Sequence, residues 1–395
     1  MPIARAVEEA LTQSSWIRRM FEEGHKLRSA CGAEGVFDFT LGNPDLPPPP
    51  ALLDRLRELT RSDPQGIHRY MPNAGWPEVR AKVAAHLQRR TGLDYTADSV
   101  MMTVGAGGAL NACLKAILNP GDEVVILRPY FVEYRFYVAN YQGVCVEIET
   151  HDDFGLSAEA LDAAITERTR AVIINSPNNP TGRVYSRPEL ESFVDRLEQR
   201  ARARGEPIYL ITDEPYRKIV YDGVTCPEVP PLYRDTILVT SSSKDLGLAG
   251  ERIGYLAVAP DASDARQLLA ACTFCNRTLG FVNAPSLFQL AIADCLELSV
   301  DASHYRDRRD LLLGHLREIG LDVATPAGAF YLFPRTPIAD DTQFVRELMA
   351  ERILVVPGSG FGRPGHVRIS YAVPRETIQR SLPAWTRALA NHRKQ

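Results

Sequence analysis

The chain has 395 residues, 45% hydrophobic and 24% charged, too long for one simple core and enough for two or three subdomains. A net charge of −4 and a pI near 6.1 argue against a nucleic-acid partner. No apolar run approaches the ~20 residues of a membrane helix, the start Met1-Pro-Ile-Ala-Arg lacks a signal-peptide core, and seven scattered cysteines suit a reducing cytoplasm rather than a disulfide framework.

In chain order, Ser14-Ser-Trp16-Ile-Arg-Arg-Met-Phe21 has apolar residues at helical spacing and reads as an amphipathic helix docking on the body or a partner. Pro47–Pro50 is a stiff extended break before a helix starting near Ala51. Short apolar runs follow at Val100–Val104, Glu123–Leu127, Val144–Ile148, Ala171–Asn175, Ile208–Asp213, Ile237–Thr240 and Ile253–Val258, with helical segments such as Ser157–Ala164 and Arg187–Arg204 between several of them. Continuous apolar runs bounded by turn residues are strands buried on both faces. The expected fold class is α/β, a three-layer large domain around a mostly parallel sheet of about seven strands. Cys272 and Cys275 form a lone C-x-x-C with no second pair at zinc-like spacing, so they read as two cysteines on one helical face and no metal site is expected. After Pro260 a long helical stretch leads to Ala329–Phe333, Ile353–Pro357 and Val367–Tyr371, read as strands of a smaller α+β domain. The expected division is residues 1–50 as an N-terminal segment, 51–290 as the large domain and 291–395 as the small one.

Several strand ends carry defined chemistry. Gly105-Ala106-Gly107-Gly108 opens a helix after a strand, where free N–H groups suit a phosphate; it is not G-x-G-x-x-G, which disfavours a dinucleotide site. Phe131 offers an aromatic face to a flat cofactor, or plain core packing. Asn179 lies in Ser176-Pro-Asn-Asn-Pro-Thr-Gly182, where it could bond a ring oxygen or simply shape a Pro/Asn turn. Asp213 ends an apolar strand and suits a protonated pyridine nitrogen, or a helix N-cap. Arg368 could grip a carboxylate bidentately, or form a surface ion pair. Lys244 follows Thr240-Ser-Ser-Ser and precedes a glycine-rich stretch, at the carboxyl end of a strand where α/β enzymes keep their ligands. A lysine there suits a Schiff base with the aldehyde pyridoxal 5'-phosphate (PLP); the plain alternative is a solvated loop lysine.

Taken together in order, Gly42-Asn-Pro-Asp, Tyr70-Met-Pro-Asn-Ala-Gly75, Gly105-Ala-Gly-Gly-Ala-Leu, Pro129-Tyr-Phe131, Asn178-Asn-Pro-Thr-Gly182, Asp213-Glu-Pro-Tyr216, Ser-Ser-Ser-Lys244 with Arg252, and Val-Arg368-Ile-Ser resemble the class I/II aminotransferases of the PLP-dependent fold-type I superfamily. The resemblance runs from about Phe37 to Tyr371. It implies that Lys244 carries PLP as a Schiff base, and that Ala106, Gly107, Ser241 and Arg252 bind its phosphate, with Tyr70 reaching it from a second subunit of a homodimer. It further implies that Phe131 stacks on the ring, that Asn179 and Tyr216 contact its O3′ and that Asp213 pairs with its nitrogen. Arg368, helped by Asn179 and the Gly42 backbone, would hold the substrate α-carboxylate. The function so implied is ping-pong transfer of an amino group from an L-amino acid to a 2-oxo acid. Another PLP reaction (β-lyase, cyclase or oxidase) or a catalytically silent binding protein are the alternatives. Where some dicarboxylate-specific members carry a second arginine, this chain has Leu279, with Arg277 two residues away, which leaves apolar or neutral side chains open. Neither a membrane nor a nucleic-acid partner is expected.

Overall fold

The computed structural model describes residues 3–13, 24, 27–29, 32, 35–62, 65–390 and 392; the expected helix at Ser14–Phe21 lies outside them. Helix α1 (Arg5–Gln13) is followed by the two-residue strand β1 (Phe37–Asp38) and by helices α2 (Pro50–Ser62) and α3 (Pro77–Thr91). An alternating series comes next: β2 (Val100–Thr103), α4 (Gly105–Ile117), β3 (Glu123–Arg128), α5 (Glu133–Ala139), β4 (Val144–Glu149), α6 (Ala158–Ala164), β5 (Thr169–Asn175), α7 (Arg187–Arg204) and β6 (Tyr209–Asp213). Strand β7 (Thr236–Ser241) runs into the single-turn helix α8 (Ser242–Asp245), and β8 (Gly254–Val258), α9 (Ala265–Thr278) and α10 (Ser286–Ala293) close the series.

These strands form one seven-stranded sheet in the order β2-β8-β7-β6-β5-β3-β4. Strand β8 is antiparallel to both neighbours and the other pairs are parallel. Alternate residues feed two cores. Val124, Ile126, Ile173, Ile211 and Val239 face one; Val125, Leu127, Val172, Ile174 and Leu210 face the other. Burial on both faces explains why the inner strands appear as unbroken apolar runs in the sequence, whereas the edge strand β4 is partly exposed and carries Glu147. Helix α4 packs against α9 on one face of this sheet, and Cys113, Cys272 and Cys275 meet in the core between them. Among the described residues no helix is long and apolar enough to cross a membrane.

The C-terminal part is built around α11 (Ser303–Glu318), β9 (Tyr331–Leu332), α12 (Asp341–Ala350), β10 (Ile353–Leu354), β11 (Val356–Pro357), β12 (Val367–Ser370) and α13 (Arg375–Ala390). Strands β11-β12-β9 form an antiparallel sheet, while β10 pairs parallel with β1. The single strand expected over Ile353–Pro357 is therefore two, divided at Val355. Its first half is drawn to the N-terminal strand and its second to β12. Pro357 has no N–H to donate and sits on an edge strand, where that loss is tolerated. The strand expected over Ala329–Phe333 shrinks to β9 because Ala329 takes a left-handed φ of 54°, which ordinary strand geometry forbids. Phe39 packs in the same core as Tyr305, Phe344 and Trp385, so the chain around β1 packs on this body.

Candidate active site

Parallel strands β3, β5, β6 and β7 end on one edge of the large sheet, and a cavity of about 360 Å³ opens there. Ligands in open α/β sheets bind beyond this edge. Eleven of the twelve residues singled out from the sequence line it; Tyr70 does not.

At one end the cavity is built for an anion. Helix α4 begins at Gly105, with φ 75°, and its cap residue Val104 makes no side-chain capping bond. The first N–H groups of the helix, at Ala106 and Gly107, thus face the cavity free to bind a ligand. Ser241 ends β7 and Ser243 lies in α8, and both line the same end. Arg252 enters from a left-handed backbone, φ 53°, a strained conformation of the kind that clusters at ligand sites. Its Nη1 donates to Ala249 O at 3.0 Å and to Ser243 Oγ at 3.4 Å. The turn is possible because residue 254 is glycine: a Cβ there would stand 2.3 Å from Thr240 O.

At the opposite side Asp213 closes β6. Tyr134 OH donates to its Oδ2 at 2.6 Å, while the buried Oδ1 has no partner. Burial pushes this carboxyl up to about 7, against the lowering effect of the Tyr134 bond. Asn175 Nδ2 donates to Asp213 O at 2.8 Å, and Asn175 Oδ1 accepts from Asn179 N at 2.7 Å, which ties the strand end to the Pro/Asn loop. Glu214 points away, to Arg90 and Arg217 at 3.3 and 3.2 Å. Phe131 lines the cavity and meets Tyr134 edge to face, 5.5 Å between centroids. It therefore both packs on the core and presents a face to the site.

Lys244 Nζ donates to Gly42 O at 2.6 Å and lies 5.9 and 5.7 Å from the ring centroids of Tyr216 and Phe330. Burial first, then the positive charges of Arg368 and Arg252, bring its pKa down to about 8. Tyr216 OH shares a hydrogen bond of 2.8 Å with Tyr331 OH. Gly42 has to be glycine, because a Cβ would fall 1.8 Å from that Tyr331 hydroxyl. Arg368 is buried, with its guanidinium between the rings of Tyr331 and Phe361, both at 4.8 Å. Its Nη1 donates to Asn179 Oδ1 at 3.0 Å and its Nη2 to Thr40 O at 2.6 Å, and Nε has no partner. No carboxylate of a described residue pairs with it. A buried cation with only neutral partners is costly until an anion arrives.

The plain readings of these residues therefore fail. Asp213 caps no helix, Lys244 turns its amine into the cavity, and Arg368 forms no surface ion pair. Tyr134, Tyr331, Ser243 and Thr40 belong to the site as well, although nothing in the sequence singled them out. Tyr70 stands apart, 91% exposed, on a shallow depression with Phe281 and Asn283.

An anion cradle, a buried carboxylate with a free oxygen, a low-pKa amine and an unpaired guanidinium fit a flat phosphorylated aldehyde together with an amino acid. With the seven-stranded sheet they define the fold-type I aminotransferase class. Comparison with known proteins agrees. The family model for aminotransferase class I and II matches residues 34–384, and the chain belongs to that family. It is 36% identical over 364 residues to an aspartate/prephenate aminotransferase of Thermus thermophilus, covering 89% of this chain and 90% of that protein. An aromatic-amino-acid aminotransferase of Thermococcus litoralis is 32% identical, over 96% of each chain. The structure of an aminotransferase from Eubacterium rectale superposes with a TM-score of 0.95 at 39% identity, over 100% of both chains. The chain is a transaminase.

Proposed function

We propose that this transaminase holds PLP through Lys244 and moves the α-amino group of an L-amino acid to a 2-oxo acid by a ping-pong route. The observation that carries the reading is the free Oδ1 of Asp213, buried in the cavity that the amine of Lys244 also lines. A buried carboxylate oxygen without a partner calls for a protonated nitrogen opposite it.

When bound, PLP supplies the electron sink that makes proton removal from an amino-acid Cα possible. The chain's own groups do the rest. The N–H groups of Ala106 and Gly107, the hydroxyls of Ser241 and Ser243, and Arg252 hold the phosphate. Asp213 holds a proton on the ring nitrogen, and Phe131 covers the ring. Tyr216 and Asn179 reach its phenolic oxygen. Arg368, oriented by Asn179 and by Thr40 O, binds the donor α-carboxylate, and the Gly42 backbone closes that side. Lys244 Nζ, with a pKa near 8, takes the Cα proton. An amine poised near the working pH is a better base than an ordinary lysine, which would remain protonated. Tyr70, exposed and away from its own cavity, serves the phosphate of a second subunit, so the working form is a homodimer. Residues 51–290 form the cofactor domain and 291–395 the small domain, with 1–50 packing on the small domain or the partner subunit, and the enzyme works in the cytoplasm.

The test is a half-reaction. Protein loaded with PLP and given an L-amino acid without acceptor should release an equivalent of 2-oxo acid. Release only when a 2-oxo acceptor is also present would contradict the ping-pong route.

A further inference from the structure

Among the described residues, five charged side chains line the active-site cavity: Glu133, Asp213, Lys244, Arg252 and Arg368. The three cations and Asp213 all have tasks in the reaction proposed above. Glu133 has none. It is the first residue of α5, two positions beyond Phe131, and a carboxylate there favours the helix dipole. That accounts for a negative charge but not for its place in the cavity lining. The Glu133 carboxylate makes no hydrogen bond and no ion pair with any described residue, and burial alone pushes it above its ordinary range. It also helps to raise the Tyr137 hydroxyl on the next turn, after burial. The cavity also has apolar lining, with Leu41, Val132, Val356 and Phe361.

A second carboxylate on the donor would meet an unfavourable field here. Among the described lining residues no cation is left over to bind it, and an unpaired anion is already present. An aliphatic side chain ending in a positive nitrogen would instead lie along the apolar wall and give Glu133 the partner it lacks.

We propose that Glu133 is a specificity-determining residue that selects amino donors whose side chain ends in a cationic nitrogen and disfavours dicarboxylic ones. The proposal rests on the aminotransferase reading and on Arg368 as the α-carboxylate site.

It is tested with the PLP-loaded enzyme and a common 2-oxo acid acceptor, using lysine, ornithine, norleucine, aspartate and glutamate as donors. Lysine or ornithine should exceed norleucine in kcat/KM by roughly ten-fold, the scale of one charge-assisted contact, and aspartate and glutamate should fall below norleucine. In Glu133→Gln the lysine-to-norleucine ratio of kcat/KM should drop by a similar factor, a change in ratio that general misfolding would not produce. Aspartate or glutamate outranking lysine and ornithine would overturn the proposal, and so would a ratio unmoved by Glu133→Gln. Norleucine turning over while these ratios fail leaves the aminotransferase reading standing; no turnover with any donor would sink both.

Discussion

Asp213 and Tyr134 show how one hydrogen bond sets the chemistry of a buried acid. Burial raises the Asp213 carboxyl to about 7, and the bond from Tyr134 OH works in the opposite direction. Removing that donor should raise the pKa further. In its proposed role Asp213 must be ionised to hold a proton on the ring nitrogen, so in Tyr134→Phe the acid limb of the kcat–pH profile should move to higher pH. The rate below the limb should fall in keeping with about 1.5–3 kcal/mol for a bond to a charged group. An unmoved limb would mean that Tyr134 only packs. Of this pair, only Asp213 was legible in the sequence. An acid that ends an apolar strand is a local signal, whereas Tyr134 lies on α5, 79 residues away along the chain. Its hydroxyl reaches Asp213 only because β6 is followed by β5 and then β3 in the sheet. Tyr331 is hidden for the same reason, since its contact with Tyr216 spans 115 residues. Lys244, Asn179 and Arg368 could be named because each lies in a short motif at a strand or a strand end.

At the scale of elements, the site depends on backbones that approach more closely than side chains allow. Strands β7 and β8 and the start of α4 meet at Gly254, where a Cβ would stand 2.3 Å from Thr240 O and 3.1 Å from Gly105 Cα. Both are backbone atoms with little room to give. Gly254→Ala should therefore cost about 1–3 kcal/mol, as overpacking does, and should weaken phosphate binding, because Arg252 and the α4 N-terminus would be pushed apart. A thermal midpoint and a PLP affinity both equal to wild type would contradict this. Most strands of the large sheet were legible because burial on both faces leaves continuous apolar runs, while the edge strand β4 shows only Val144, Val146 and Ile148 alternating with more polar positions. The C-terminal strands were less so. The run Ile353–Pro357 is uniformly apolar, and nothing in it marks Val355 as the point where the chain leaves one sheet for another.

At the scale of the whole molecule, the proposed role of Tyr70 needs two chains for one working site. Tyr70 is 91% exposed and lines no part of its own cavity. If each Tyr70 serves the neighbouring subunit, Tyr70→Ala and Lys244→Ala should complement one another. Mixed after reversible dissociation, they should form heterodimers with one intact site and regain activity that neither variant has alone. A mixture no more active than its better component would place Tyr70 outside the site. The central claim, that Lys244 is the amine on which the transfer depends, has a more direct test. Protein incubated with PLP should develop a visible absorption band that an L-amino acid bleaches, with release of an equivalent of 2-oxo acid. Lys244→Ala should show neither the protein-linked band nor the release. A Lys244→Ala protein that forms the same band and releases 2-oxo acid at the wild-type rate would contradict the account.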